Sequence, residues 1–255
     1  MKYTILTDIG AKRQTNQDYA SVFENQLGTK LFLLADGMGG HRSGDVASRL
    51  TVEDIGAIWQ KTSYSGDTDI ETIEAWMRRQ VLVENENIAN LGKLDDYKGM
   101  GTTLELLFVG NGHVVVGHIG DSKSWLVRNR QIVPLTRDHS LVQELVEAGE
   151  ITPEEAEHHP NKNIITRSLG QTSEAVPDTE SFAIVPGDFL MQNSDGLTNM
   201  ISTEEMLDIL NSGDDLEAKA KNLITLANAN GGLDNITLSL MSFDSSDIVV
   251  GGDSL

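Results

Sequence analysis

Apolar and polar positions along the chain separate into short strand-like runs and longer helical segments. The strand-like runs are rich in β-branched and large apolar residues, and they end near glycine, asparagine or aspartate. They cover Tyr3–Ile9, Tyr19–Phe23, Lys30–Ala35, Thr102–Val109, His113–Ile119, Ser124–Arg128, Gln131–Leu135, Phe182–Val185, Asp188–Gln192 and Asn235–Phe243. Asn111-Gly112 and Asn129-Arg130 stand at turns between these runs, which predicts a meander of strands over 102–135. Pro186-Gly187 joins the eighth and ninth strands.

Six further segments are predicted to be helices. They are Ser43–Gln60, Ile70–Leu94, Leu141–Ala148, Pro153–His158, Thr203–Leu210 and Leu216–Ala227. The second has apolar residues at helical spacing, and Thr152 with Glu155 and Ser202 with Glu205 match capping boxes. Strands cluster and helices come in pairs, without the alternation of a doubly wound parallel sheet. The pattern therefore favours an α+β fold with mostly antiparallel sheets.

Length and charge narrow the class of protein. The 255 residues suffice for one large domain or two small ones. A net charge of -20 argues against nucleic acid and anionic membranes as partners, because phosphate groups would be repelled. The absence of cysteine excludes disulfides, thiolate metal sites and a thiol nucleophile. The polar N-terminus does not resemble a signal peptide and no apolar run reaches membrane-spanning length, so a cytoplasmic location is predicted.

Candidate chemistry begins at the unbroken apolar run that ends in Asp36. Asp36-Gly37, Asp121-Ser122, Asp195-Gly196 and Asp234-Asn235 each place an aspartate at the end of an apolar strand. Any one of them alone is readily explained as a turn residue. If these carboxylates converge they need a cation, because two like charges about 4 Å apart cost roughly 4 kcal/mol at an intermediate dielectric. Oxygen ligands select hard ions such as magnesium, manganese or calcium.

Seven short motifs extend this pattern and occur in a characteristic order. They are Gly10-x-x-Arg13-x-x-Asn16-Gln17-Asp18, Asp36-Gly37-Met38-Gly39-Gly40-His41, Gly101-Thr102-Thr103, Gly120-Asp121-Ser122, Leu135-Thr136-Arg137-Asp138-His139-Ser140, Ser194-Asp195-Gly196-Leu197 and Asp234-Asn235-Ile236-Thr237. With them the chain resembles the type 2C, metal-dependent Ser/Thr protein phosphatases of the compact bacterial kind, from about Lys2 to Phe243. The resemblance implies a four-layer αββα sandwich, in which two stacked, mostly antiparallel sheets are flanked by helix pairs. It also implies one catalytic domain over 1–243, with a variable flap at about 140–173. The tail at 244–255 lies outside the resemblance, and its polar, glycine-containing composition predicts that it is loosely held.

The resemblance implies a metal centre of two manganese or magnesium ions, with a third held more weakly. Asp36 would bridge the two ions, the carbonyl of Gly37 would complete one, and Asp195 and Asp234 would hold the other. Asp121 resembles the ligand of the third ion, shared with Asp195.

The activity implied is hydrolysis of phosphoserine and phosphothreonine by in-line attack of a metal-bridging water. Arg13 would hold the phosphate oxygens with its planar fork, and Asp18 would orient a metal-bound water. His41 is the candidate general acid for the leaving oxygen. Phosphorylated proteins and a cognate eukaryotic-type Ser/Thr kinase are the implied partners, a catalytic monomer is the default, and the flap is expected to gate protein substrates.

Besides this interpretation there are alternatives, and the chain shows three departures from the family pattern. One departure is the position of the histidine, which lies at 41 as in bacterial members and not earlier in the loop as in other forms. The glycines after Asp36 lack the spacing of a dinucleotide-binding fingerprint. A phosphatase-like domain that binds phosphoproteins without turnover, and a phosphatase for small phosphate esters, both stay open. Lys123 stands where the family commonly has arginine, and Met191-Gln192-Asn193 is more polar than the usual approach to Ser194-Asp195-Gly196.

Overall fold

The computed structural model describes residues 1–39, 43–170 and 175–247. The strands are β1 (Lys2–Asp8), β2 (Asp18–Glu24), β3 (Lys30–Met38), β4 (Gly101–Thr102), β5 (Leu104–Val109), β6 (His113–Ile119), β7 (Lys123–Arg128), β8 (Gln131–Pro134), β9 (Asp178–Ala183), β10 (Phe189–Asn193) and β11 (Ile236–Ser242). The helices are α1 (Ser43–Trp59), α2 (Ile70–Leu91), α3 (Leu141–Glu147), α4 (Pro153–Glu157), α5 (Asp195–Thr198), α6 (Thr203–Leu210) and α7 (Leu216–Ala229).

These strands form two sheets with antiparallel pairing throughout. Sheet I has the order β1-β11-β10-β7-β8. Sheet II has the order β2-β3-β5-β6-β9, and β4 pairs with β3 beside it. The prediction of an α+β fold built on antiparallel sheets is confirmed.

Three apolar cores separate four layers. Leu33 of sheet II packs with Ile55 and Met77 from α1 and α2, whereas Phe32, the next residue along β3, packs between the sheets with Leu190 of sheet I. The third core joins the other face of sheet I to α5, α6 and α7. Strand β3 is thus covered on both faces, as its unbroken apolar run predicts. The helix–sheet–sheet–helix order agrees with the four-layer sandwich.

The predicted meander over 102–135 is wrong, because the chain changes sheets between β6 and β7. Gly120 has φ +117° at this crossing, and a Cβ there would meet the side chain of Thr103. Pro186-Gly187 joins strands of different sheets: β9 pairs with β6 in sheet II, while β10 lies in sheet I. Local sequence patterns predict where a strand lies along the chain. The strand with which it pairs depends on which sheet has an open edge in the folded protein.

The first residues of the polar tail are held in place. The N-terminal ammonium group of Met1 forms an ion pair with Asp247, whose Oδ2 also accepts a hydrogen bond from the backbone of Asp244 at 2.8 Å. The tail from 248 onward lies outside the described residues. Within the described ranges, no helix is both long enough and apolar enough to cross a bilayer.

A buried carboxyl group on α2 makes stability depend on pH. Glu84 is 3% exposed; its Oε2 accepts a hydrogen bond from Asn87 at 3.0 Å, and its Oε1 has no partner among the described residues. Burial raises the pKa of Glu84 from 4.5 to about 7. Between these two values the folded chain binds more protons than the unfolded chain, so the free energy of unfolding falls as pH rises through this window.

We expect Glu84→Gln to stabilise the protein at pH 8 by about 2 kcal/mol and to change it much less at pH 5, because glutamine has no charge to bury. Urea unfolding of the variant and the wild type at both pH values measures the difference. Glu71→Gln, at an exposed position of the same helix, is the control. A difference of the same size at pH 5 and pH 8 would show that the charge of Glu84 is not the cause.

Candidate metal centre

Five aspartates meet at one end of the sandwich. Neighbouring antiparallel strands run in opposite directions, so the end of β3 and the start of β2 lie at the same edge of sheet II. The start of β11 in sheet I lies beside them, since Asn235 Oδ1 accepts a hydrogen bond from the backbone N–H of Gln17. Asp18 is the direct partner of Asp36 in the β2–β3 register. The charges of the four other aspartates of the cluster raise the pKa of Asp36. These are Asp18, Asp195, Asp121 and Asp234. The predicted convergence of the strand-end aspartates is therefore what the fold produces.

Burial and mutual repulsion oppose ionisation in this cluster. Burial, with the charges of its neighbours, raises the pKa of Asp36 well above its usual range. Burial likewise raises the pKa of Asp18 and of Asp121 to about 7. The pKa of Asp195 is also raised by burial, and its carboxylate shares a hydrogen bond with Asp36.

Strand β4 holds Asp36 by its backbone. The carbonyl of Asp36 accepts hydrogen bonds from Thr102 Oγ1 at 2.8 Å and from the backbone N–H of Thr103 at 2.9 Å. Its own N–H donates to Thr103 Oγ1 at 2.9 Å. Gly37 follows, where a Cβ would meet the backbone carbonyl of Gly44 in α1. The threonines of the Gly101-Thr102-Thr103 motif thus have a role that the sequence alone did not reveal.

Two buried carboxylate oxygens of the cluster have no hydrogen-bond partner among the described residues. Asp195 accepts from Asn199 Nδ2 at 2.9 Å through Oδ2, while its Oδ1 is unpartnered. Asp18 accepts from Ser194 Oγ at 2.6 Å through Oδ2, and its Oδ1 is unpartnered too. Unpartnered carboxylate oxygens in a buried acidic cluster are suited to a hard divalent cation. The donor set fits the ions that the sequence predicts.

The carboxylates do not stand in one closed cage. In the part of the chain that the structure describes, no three Asp, Glu or His side chains form a group that could hold a metal by itself. Asp36 and Asp195 share a hydrogen bond, and Asp234 Oδ2 accepts from Arg13 Nη2 at 2.6 Å. The fit to a metal therefore rests on the chemistry and the burial of the carboxylates.

Arg13 lies at the mouth of the cluster on the loop between β1 and β2. Besides its ion pair with Asp234, its Nε donates to the carbonyl of Leu233 at 3.4 Å, and its side chain is about half exposed. Asn235 anchors this loop: its Nδ2 donates to the carbonyls of Ile9 and Thr15, and its Oδ1 accepts from the N–H of Gln17. Asn235 is a positioning residue that sequence inspection noted only as the neighbour of Asp234.

A groove of about 530 Å³ extends from the cluster. Asp121 and Asp195 line one side, and Gln143, His158 and Lys162 of the predicted flap line another. Lys123, the departure from the usual arginine, lies in the groove and pairs with Asp138. The predicted general acid His41 lies outside the described residues.

The polar approach to Asp195 is partly hydrogen-bonded inside the core, and Gln192 Nε2 has no partner among the described residues. Asn193 Oδ1 accepts a hydrogen bond from Trp125 Nε1 at 2.8 Å, and Gln192 Oε1 accepts from Ser239 Oγ at 2.8 Å. With these polar residues, β10 still pairs with β11 and β7 in sheet I.

Comparison with known proteins agrees with this geometry. A family model described as protein phosphatase 2C matches residues 10–229. Protein phosphatase PhpP of Streptococcus pneumoniae is 47% identical over 250 residues, which cover 97% of this chain and 99% of that protein. The structure of the Streptococcus agalactiae serine/threonine phosphatase is 47% identical, with a TM-score of 0.92, and the match covers 95% of this chain and 99% of that one.

A further solved structure contains metal. The catalytic domain of the Ser/Thr protein phosphatase PstP, in complex with two manganese ions, is 33% identical with a TM-score of 0.79. The match covers 94% of this chain and 96% of that chain. Together these matches confirm the resemblance indicated by the ordered motifs: the chain belongs to the protein phosphatase 2C family, among its bacterial Ser/Thr phosphatases.

Proposed function

We propose that this protein is a metal-dependent phosphatase that removes phosphate from serine and threonine side chains of proteins. The observation that carries the proposal is the cluster of buried aspartates at one end of the sandwich, in a chain of this family. Burying several carboxylates together is unfavourable unless a cation compensates them. Divalent cations do so, and they are also the means by which a phosphate ester is hydrolysed without a covalent intermediate.

Asp36, the carbonyl of Gly37, Asp195 and Asp234 are proposed to hold two divalent ions, and Asp121 a third together with Asp195. The oxygen-only donor set favours manganese or magnesium. When bound, such ions polarise phosphoryl oxygens and lower the pKa of water. The unpartnered Oδ1 atoms of Asp18 and Asp195 support this assignment.

Three side chains are proposed to act beside the ions. Arg13 is proposed to bind the phosphate oxygens, since its guanidinium has several donors in one plane and lies half exposed at the mouth of the cluster. Its pairing with Asp234 means that phosphate and Asp234 would compete for it. Asp18 is proposed to orient the attacking water, and His41, on sequence alone, to protonate the leaving oxygen.

Phosphorylated proteins are the proposed substrates, and the kinase that phosphorylates them is the proposed partner. The relatives of this chain are named protein phosphatases and serine/threonine phosphatases, which favours a protein over a small phosphate ester. Comparing phosphothreonine levels in cells with and without the gene tests the kinase connection. A cytoplasmic monomer is proposed as well, and fractionation and gel filtration test it.

Metal-stripped protein is expected to regain hydrolysis of a phosphothreonine peptide when manganese is added, and Asp195→Ala is expected to lose at least about 100-fold in kcat/KM. Removing one carboxylate weakens the binding of the cation that compensates the charge of the remaining carboxylates. Asp208→Ala, at an exposed position on α6, is the matched control and should keep wild-type rates. A wild type that binds manganese or magnesium but never turns over would leave a phosphoprotein-binding module as the better interpretation.

Arg13→Ala is expected to raise KM for the phosphopeptide about tenfold while leaving manganese affinity unchanged or slightly tighter, because Asp234 loses its competing cation. Arg13→Lys, which keeps the charge but not the fork, should recover only part of this loss. Steady-state kinetics and calorimetry give the two quantities. An unchanged KM together with weaker manganese binding would mean that Arg13 serves Asp234 and not the substrate.

Replacing the flap over 140–173 with that of another family member is expected to change the ratio of rates on phosphopeptide and small aryl phosphate by about tenfold. Only the peptide is long enough to reach Gln143, His158 and Lys162 along the groove. The aryl phosphate rate alone serves as the internal control for an intact centre. The same ratio before and after the exchange would rule out the flap as a substrate gate.

A further inference from the structure

Asp18 is held by a residue of the opposite sheet. Asp18 begins β2 of sheet II, whereas Ser194 directly follows β10 of sheet I. The hydroxyl of Ser194 donates to Asp18 Oδ2 at 2.6 Å, and both residues are buried. A hydrogen bond from a neutral hydroxyl to a buried carboxylate is short and strong. This contact therefore crosses the sandwich directly beneath the metal centre.

Hydrogen bonds with Thr237 determine the orientation of the Ser194 hydroxyl. The backbone N–H of Thr237 donates to Ser194 Oγ at 3.0 Å, and the N–H of Ser194 donates to the carbonyl of Thr237 at 3.0 Å. A serine hydroxyl has one hydrogen to donate. Because its oxygen already accepts from Thr237, that hydrogen is directed at Asp18.

A closed circuit of hydrogen bonds completes the arrangement. Thr237 Oγ1 and Thr7 Oγ1 are 2.7 Å apart, and Asn16 Nδ2 donates to Thr7 Oγ1 at 2.7 Å. The backbone N–H of Asp18 then donates to Asn16 Oδ1 at 3.1 Å. Strands β1, β2 and β11 and the end of β10 are linked in one ring, which limits movement of Asp18 relative to sheet I.

We infer that Ser194 is a positioning residue of the catalytic centre, which acts by engaging Asp18 Oδ2 so that Oδ1 alone is presented to the metal and water. The inference rests on the proposed function. Asp18 Oδ1 is buried and has no hydrogen-bond partner among the described residues, which leaves it available to a metal ion or to water. Since Ser194 immediately precedes Asp195, one short segment both supplies a proposed metal ligand and sets the orientation of Asp18.

A double-mutant cycle tests this role. Ser194→Ala in the wild-type background is expected to lower kcat on a phosphothreonine peptide about 10–100-fold, the range for residues behind metal ligands. KM should stay within about twofold, because Ser194 does not reach the substrate. In an Asp18→Ala background the same substitution should have no further effect on kcat, since Ser194 acts through Asp18.

Two controls separate positioning from general loss of structure. Ser239→Ala removes an equally buried hydroxyl of sheet I, which donates to Gln192 Oε1, and should keep wild-type kcat. Ser194→Thr retains the hydroxyl and should restore most of the rate lost in Ser194→Ala. Urea unfolding of all variants identifies any that are not folded under assay conditions.

A second double-mutant cycle uses the same Ser194 and Asp18 variants and measures manganese affinity by calorimetry. Because this readout does not require turnover, it distinguishes a failure of this inference from a failure of the proposed function. An active wild type in which Ser194→Ala lowers kcat equally in both backgrounds overturns the positioning role and leaves the phosphatase assignment intact. An inert wild type in which Ser194 and Asp18 remain coupled in manganese affinity overturns the assignment and supports the positioning role. Absence of coupling in both kcat and manganese affinity rules out the inference whatever the activity.

Discussion

Electrostatic repulsion among buried carboxylates is the constraint on which the rest of this structure depends. Burial raises the pKa of Asp36 well above its usual range, and the charges of four other aspartates raise it further. A protein maintains such an arrangement only where the surrounding fold is rigid enough to hold it. Burying these carboxylates lowers the stability of the folded protein, and it also forms a site that is suited to cations.

The rigidity comes from backbone and short polar side chains. Thr102 and Thr103 hold Asp36 from one side, Asn235 ties the Arg13 loop to the start of β11, and Asn199 orients Asp195. These side chains are short and have few rotamers, so fixing them costs little conformational entropy. Glycine at 37 permits β3 to approach the start of α1 closely, because any Cβ would strike the carbonyl of Gly44.

The two sheets meet at this centre as well as in the apolar core between them. Phe32 and Leu190 pack the sheets together by apolar contact, which has no preferred orientation. The Asp18–Ser194 hydrogen bond joins the same two sheets with a defined geometry. Apolar packing thus provides stability, and the directional bonds at the end of the sandwich determine how the carboxylates from both sheets face each other.

The sequence by itself determined the element types, the four strand-end aspartates and the family, because these depend on local periodicity, turn residues and ordered motifs. The unbroken apolar run of β3 predicts a strand that is buried on both faces, because a strand with one face in water would alternate apolar and polar residues. Tertiary structure alone decided that β6 and β7 lie in different sheets, that β9 and β10 do not pair, and that Arg13 pairs with Asp234. It also decided that Ser194 reaches Asp18, 176 residues away along the chain. Such contacts depend on which surfaces fold against each other, and residues so far apart in sequence leave no local pattern that reveals them.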